Sequence, residues 1–257
     1  MQDLTITLIQ TKQFWEDKVS NFTHFESILS HIGVTDLIIL PEMFHTGFTM
    51  NAVDFAENYT DSTAIKWLKN MALLKKAAIY TSLIIYDQNY FYNRGIFIEP
   101  NGKLTYYDKR KLFTLAGEEK VYRSGQERKI VEYKGWRLQL QICYDLRFPE
   151  ITRNSLVKNK PLFDILLYVA NWPERRATHW KSLLFARAIE NQSFVVGLNR
   201  VGEDGKGLTY SGDSMVINAN GECISSILPH KESIQTLTLS MNTLLEFRQQ
   251  LPFLKDF

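Results

Sequence analysis

Three side chains that could share one reaction stand directly beyond apolar segments: Glu42 after residues 36–41, Lys109 after residues 103–107, and Cys143 after residues 136–142. Cys143 carries the most chemistry. It ends the run Leu138-Gln139-Leu140-Gln141-Ile142 and opens Tyr144-Asp145-Leu146-Arg147-Phe148-Pro149-Glu150, a strand end before a helix, where α/β proteins place reacting groups. A thiol attacks as the thiolate, so it needs a base for its proton and a donor for the oxygen on which charge develops. Of the five histidines (His24, His31, His45, His179 and His230), only His45, three residues past Glu42, lies near a strand end. The alternative is carboxylate and ammonium chemistry. Glu42 against an apolar wall takes the thiol proton, while Lys109 balances charge and supports a tetrahedral intermediate. If the three preceding strands lie side by side, these side chains converge at one sheet edge. Taken singly, each has a bland explanation: a free cysteine is most often a small buried hydrophobe, Glu42 can cap a turn, and Lys109 in Lys109-Arg110-Lys111 can be solvated. Their coincidence points to a thiol hydrolase, and the residues alone go no further.

Composition sets the class around that site. The chain has 257 residues, 45% of them hydrophobic, with 16 Phe, 12 Tyr and 5 Trp, enough for a large core built around rings. Thirty basic against 28 acidic side chains give +2, and the densest basic stretch is only Lys109-Arg110-Lys111, which argues against a nucleic-acid partner. No basic-then-apolar leader opens the chain, and no apolar run approaches about 18 residues, so no membrane association is expected. Two cysteines far apart, Cys143 and Cys223, form neither a disulfide framework nor a metal-ligand cluster, and no cofactor or metal is implied. A cytoplasmic, reduced protein is the expectation. Cys223, near Asn220-Gly221, has no companion base and reads as structural.

Hydrophobic periodicity supplies the positioning elements. Residues 4–9 alternate as a strand, and Phe22, Phe25, Leu29 and Ile32 mark one face of a helix. Residues 36–41 read as a strand buried on both faces and stopped by Pro41. Thr60 or Asp61 caps a helix that turns Ile65, Leu68, Ala72 and Leu73 inward, and a buried strand follows at 78–85. Residues 91–98 and 103–107 pair across Pro100-Asn101-Gly102, and 129–133 pair with 136–142 across Lys134-Gly135. Residues 114–128 lack periodicity and read as a loop of active-site size. Pro149 starts a helix, 164–170 is a strand, 177–190 a helix with Trp180, Leu184 and Ala188 inward, and 194–198, 209–217, 222–228 and 235–239 are strands. Asn93-Arg94, and Arg187 with Glu190, read as structural pairing. One α/β domain over 1–257, with two mixed sheets and helices outside, accommodates these elements.

Leu40-Pro41-Glu42-Met43-Phe44, Tyr107-Asp108-Lys109-Arg110-Lys111-Leu112-Phe113, Cys143-Tyr144-Asp145-Leu146-Arg147-Phe148-Pro149-Glu150 and Ala186-Arg187-Ala188-Ile189-Glu190-Asn191 resemble, in order, the motifs of the nitrilase superfamily of carbon–nitrogen hydrolases. The resemblance spans essentially the whole chain and implies an αββα sandwich. Thr46-Gly47-Phe48-Thr49-Met50, Arg147-Phe148-Pro149, and Glu246-Phe247-Arg248 with Leu251-Pro252 are similar to the omega-amidase branch, which cleaves the terminal amide of 2-oxo acids such as 2-oxoglutaramate and 2-oxosuccinamate. Carried over by position, Cys143 is the nucleophile, Glu42 the general base and Lys109 the catalytic lysine. The family's second glutamate falls on Glu118, with Glu119 as its competitor. Many relatives have histidine where Lys111 stands, which here adds charge near Lys109.

The implied reaction runs through a thioester, its oxyanion met by Lys109 and the backbone N–H after Cys143. Such a substrate carries a carboxylate, for which Arg147, Arg175 and Arg176 are the candidate partners, with Tyr144, Phe44, Phe148 and Trp172 as apolar walls. Asp145 reads as the holder of the turn after the nucleophile. The alternatives are another amidase of the family, acting on deaminated glutathione or as a carbamoylase, or a non-catalytic binding protein of the same fold. The resemblance also implies a homodimer formed through helices near 149–160 and 177–190.

Overall fold

The computed structural model describes residues 2–256. The first sheet is built from β1 (Leu4–Gln10), β2 (Leu37–Ile39), β3 (Glu57–Asn58), β4 (Ala78–Asp87), β5 (Tyr90–Ile98) and β6 (Leu104–Asp108). The second takes β7 (Ile130–Tyr133), β8 (Trp136–Ile142), β11 (Ile165–Ala170), β12 (Phe194–Asn199) and β15 (Met215–Ile217), while β9 (Leu156–Val157) pairs with β10 (Lys160–Pro161), and β13 (Val201–Glu203) with β14 (Thr209–Ser211), as small hairpins. The last strand, β16 (Ser233–Leu239), returns to the first sheet and runs antiparallel to β1 with Leu4 opposite Leu239, giving the order β16-β1-β2-β4-β5-β6. The second sheet is ordered β15-β12-β11-β8-β7. Both mix parallel and antiparallel neighbours.

Period-two alternation explains why two sheets stack and helices cover both outsides. On β1, β2 and β11, Ile6, Leu8, Leu37, Ile39, Ile165, Leu167 and Val169 join Leu138, Leu140 and Ile142 of β8 in one core between the sheets. Their neighbours face outward. Ile38, Ile79 and Ile85 pack against Phe25 and Leu29 of α1 (Lys18–Ser30) and Leu68 and Ala72 of α3 (Thr63–Lys75). Leu166 and Tyr168 meet Trp180, Leu184 and Ala188 of α6 (Ala177–Asn191). The result is an αββα sandwich.

Several local expectations change. Ser62, not Thr60 or Asp61, caps α3 by accepting from the Ile65 N–H at 3.0 Å, because Tyr59–Asp61 already forms a separate 3₁₀ turn. Leu73 points out, 63% exposed, since the inward stripe is carried by Ala64, Ile65, Leu68, Met71 and Ala72. The strand expected over 209–217 breaks at Gly212 and Asp213, both with positive φ, and 222–228 contributes only a bridge from Cys223 to Ile217. The helix at Pro149 is a single turn, α5 (Pro149–Thr152), and not an element reaching 160. Within the expected loop 114–128 lie a 3₁₀ turn and the short α4 (Glu118–Val121). The amphipathic α7 (Met241–Gln250), which buries Met241 and Leu244, was not anticipated.

Candidate active site

Glu42, Lys109 and Cys143 do converge, but not from adjacent strands. Strands β2 and β6 are separated by β4 and β5 within one sheet, and β8 lies in the other, so the three side chains meet across the sandwich. Each is delivered by a pinned piece of backbone. Pro41 ends β2, and Met43 then takes φ 46° while its N–H donates to Ser82 Oγ at 2.9 Å. Gln13 Nε2 donates to the carbonyls of both Glu42 and Met43 at 3.0 Å, and Asn171 Nδ2 to that of Glu42 at 2.6 Å. The Lys109 N–H donates to Asn93 O at 3.0 Å, and its carbonyl accepts from Gly125 N at 2.9 Å. Gly125 is required there, since a Cβ would overlap the Asp108 carbonyl.

Cys143 itself has φ 43°, a left-handed conformation that costs a non-glycine residue about 1–2 kcal/mol. Asp145 holds that turn. Its buried carboxylate accepts from Ile142 N at 2.9 Å, Lys111 N at 2.9 Å and Tyr107 Oη at 2.8 Å. These bonds hold Asp145 in the role expected for it, though burial raises its pKa to about 6.

Behind the thiol lies a closed charge network. Lys109 Nζ donates to Glu42 Oε1 at 3.0 Å and to both Glu118 carboxylate oxygens at 2.9 Å. Glu118 also accepts from Phe113 N at 2.6 Å, and Glu42 Oε2 from Asn171 N at 2.8 Å. Glu118 is fully buried whereas Glu119 is exposed, so Glu118 and not its neighbour meets the lysine. Asn93, read from sequence as structural, is part of this network: its Nδ2 donates to Glu42 Oε1 at 2.8 Å and to Glu118 Oε1 at 3.2 Å.

Physical causes of the titration behaviour are separable. Burial pushes the Cys143 thiol well above its ordinary range, the Glu42 carboxylate pushes it further, and Lys109 opposes both. Burial lowers the Lys109 pKa, but the carboxylates of Glu118 and Glu42 outweigh it and keep the ammonium charged. Burial raises Glu118, against the pull of Lys109. The resting pair is therefore a neutral thiol beside a carboxylate that can accept its proton, with a permanent cation at hand. His45 takes no part. It is buried against Glu57, and burial lowers its pKa to about 3.

The thiol opens into a cavity of about 220 Å³. Tyr144, Arg147, Trp172, Arg175 and Arg176, all singled out from the sequence, line it. Phe44 and Phe148 do not. Phe44 is fully buried beneath the first sheet, stacked on Trp67 with centroids 5.2 Å apart, because the left-handed turn at Met43 sends it away from Glu42. Phe148 stands behind Tyr144 at 5.2 Å, with the Lys111 ammonium over its ring. Lys111 pairs outward with Glu150 at 3.0 Å.

Further walls include Phe48, Met50 and the β13–β14 hairpin, which brings Asp204, Lys206, Leu208 and Tyr210. None was foreseen as wall-forming, although Phe48 and Met50 lie in the recognised segment 46–50. Asp204 organises the hairpin tip: its Oδ1 accepts from the N–H groups of Lys206 and Leu208 at 2.9 and 3.0 Å, and its Oδ2 from Tyr210 Oη at 2.8 Å.

A buried glutamate and lysine with a half-buried cysteine at the seam of an αββα sandwich define a thiol hydrolase of carbonyl compounds. The chain belongs to the carbon-nitrogen hydrolase family, whose model matches residues 5–249. It is similar to the omega-amidase YafV of Yersinia enterocolitica, 43% identical over 100% of this chain and 97% of that protein, and to that of Escherichia coli K12 at the same identity and coverage. Its fold matches the crystal structure of XC1258 from Xanthomonas campestris, a CN-hydrolase superfamily protein with an arsenic adduct in its active site. That match has a TM-score of 0.97, with 42% identity over 100% of this chain and 98% of the other.

Proposed function

We propose that the chain is an omega-amidase that releases ammonia from the terminal amide of 2-oxo dicarboxylic acid monoamides such as 2-oxoglutaramate and 2-oxosuccinamate. The observation that carries this reading is the charge of the cavity. Arg147, Arg175, Arg176 and Lys206 line it, and among the described residues none of the four forms an ion pair with a carboxylate. The single acid there, Asp204, has both oxygens occupied by Tyr210 and by its own turn. Burial and the neighbouring Arg175 push the Arg176 pKa down, the signature of a desolvated cation short of an anion. A substrate carboxylate supplies it. Similarity to two proteins named omega-amidase supports the same choice.

In this mechanism Cys143 Sγ attacks the amide carbon as its proton passes to Glu42. The oxyanion is stabilised by the backbone N–H of Tyr144 and by Lys109, which turns one N–H from a carboxylate oxygen toward it. Glu42 returns the proton to the departing nitrogen, ammonia leaves, and a thioester remains. Water then gives a proton to Glu42 and attacks the thioester carbon; the acid departs and the proton restores the thiol. Arg147 and Arg176, with Arg175 at the mouth, hold the distal carboxylate, and Tyr144 and Trp172 form the walls. Glu118 keeps Lys109 charged and placed.

A single domain, a cytoplasmic location, a homodimer formed through α6, whose Ile189 is 49% exposed, and no nucleic-acid partner complete the proposal. No described helix is long and apolar enough to cross a membrane. The test is ammonia release from 2-oxoglutaramate, 2-oxosuccinamate, glutamine, asparagine and deaminated glutathione, with Cys143→Ala as control. Highest kcat/KM on the 2-oxo monoamides is expected. Highest kcat/KM on deaminated glutathione overturns the assignment.

A further inference from the structure

We propose that Asn93 is a positioning residue whose amide N–H groups hold the Glu42 and Glu118 carboxylates in place while Lys109 turns to the substrate oxygen. The three bonds Lys109 Nζ makes go to Glu42 Oε1, Glu118 Oε1 and Glu118 Oε2, so an ammonium with three protons has none spare in the resting site. To meet an oxyanion it must release a carboxylate oxygen. Asn93 Nδ2 donates to Glu42 Oε1 and Glu118 Oε1, two of the three oxygens the lysine contacts. If Lys109 leaves Glu42 Oε1 or Glu118 Oε1, that oxygen keeps the Asn93 donor, while Glu118 Oε2 keeps the Phe113 N–H, so two like charges in a buried site stay satisfied.

The geometry indicates that the donor end of Asn93 is what the site uses. Asn93 is fully buried, its Oδ1 has no partner among the described residues, and turning the amide over would aim that oxygen at two carboxylates. Its own backbone carbonyl receives the Lys109 N–H, so one strand residue fixes the lysine's chain and both carboxylate heads. The charged and titratable groups around the carboxylate pair come from four other segments. They are Lys109 after β6, Cys143 and Asp145 after β8, Tyr122 after α4, and Tyr80 on β4. Asn93 is the neutral donor that bridges the two glutamates.

This inference rests on the thioester chemistry above but not on which amide is cleaved, so its test includes a reaction that needs no substrate. In a Cys223→Ser background, which leaves Cys143 as the sole thiol, alkylation of Cys143 by iodoacetamide is followed by intact mass as a function of pH. Asn93→Asp keeps the side chain's shape and removes the neutral donors; Asn93→Ser is the second variant, should the added charge prevent folding. Loss of the donors disfavours the ionised carboxylates, so the acidic limb of alkylation, and of kcat/KM for ammonia release, moves up by about one pH unit. Ammonia-release kcat falls about 10- to 100-fold while KM stays within about threefold, because Asn93 does not line the cavity. An acidic limb that stays in place, whether the variants are fully active or merely less stable, overturns the proposal. If no amide is turned over by any form of the protein but the alkylation limb still moves, the substrate assignment fails and the role of Asn93 stands.

Discussion

Replacing Glu118 by glutamine keeps the side chain's shape and removes its charge from a site where Lys109 has only one other carboxylate. Glu118 takes two bonds from the lysine at 2.9 Å, one from Phe113 N at 2.6 Å and one from Asn93 at 3.2 Å, all inside the protein. A glutamine offers one accepting oxygen, and its NH₂ must then face Lys109 or the Phe113 N–H. Removing one partner of a buried ion pair costs about 3–5 kcal/mol, and the retained Glu42 places Glu118→Gln at the lower end, about 3 kcal/mol. At about 2–4 °C per kcal/mol for a chain of this size, the melting temperature falls by about 6–12 °C. Lys109 also loses the largest influence that holds its pKa up against burial, so the ammonium deprotonates at lower pH. The sign is fixed: a group with a raised folded pKa stabilises below its unfolded value and loses that contribution as pH rises through the folded one. The alkaline end of both stability and kcat/KM therefore moves down in the variant. Calorimetry and ammonia-release kinetics against pH measure both. Exposed Glu119→Gln is the matched control, with a melting temperature within about 1 °C of the parent. Equal behaviour of the two variants would refute the assignment of Glu118 to the charge network.

Three further outcomes are expected. Arg176→Ala and Arg147→Ala raise KM for a carboxylate-bearing amide about 10- to 100-fold with a smaller change in kcat, and the Arg176 effect disappears for an uncharged amide; steady-state kinetics on a charged and a neutral substrate decide it. Gly197→Ala places a methyl 2.6 Å from Leu184 and 2.9 Å from Trp180, so α6 is forced off β12 and chemical denaturation shows a loss of about 1–3 kcal/mol. His45, neutral and buried with a pKa near 3 against an ordinary 6.5, stabilises progressively less as pH falls below 6.5, at up to about 1.4 kcal/mol per pH unit. The difference in unfolding free energy between the parent and His45→Phe should carry that slope, and a flat difference contradicts it.

What could be read from the sequence follows the range of the interactions involved. Cys143, Glu42 and Lys109 were legible because each ends an apolar run, a local pattern. The hairpin across Pro100-Asn101-Gly102 was legible for the same reason, and it pairs Ile98 with Leu104 as its turn chemistry demands. Asn93 was not. An asparagine inside a strand looks like any ladder residue until β5 is seen to lie where two distant carboxylates arrive. Phe44 was misplaced because adjacency to Glu42 says nothing about direction once Met43 adopts a left-handed turn. Convergence at one sheet edge depended on the three strands lying side by side, yet β8 belongs to the other sheet, and nothing within any single segment encodes that stacking. The hairpin tip at 204–208 is not legible in the sequence for a related reason: its role depends on lining the same cavity as Arg176 and Phe113, which other segments supply.

The acyl-enzyme on Cys143 is the claim on which the rest depends, and it can be weighed directly. The protein is mixed with 2-oxoglutaramate, quenched in acid during turnover, and the peptide carrying Cys143 is analysed by mass spectrometry. The expected result is that peptide with the added mass of the substrate's acyl group, absent from Cys143→Ala and increased in a variant slowed at hydrolysis. Ammonia release that continues in Cys143→Ala, with no adduct on the parent protein, contradicts the account.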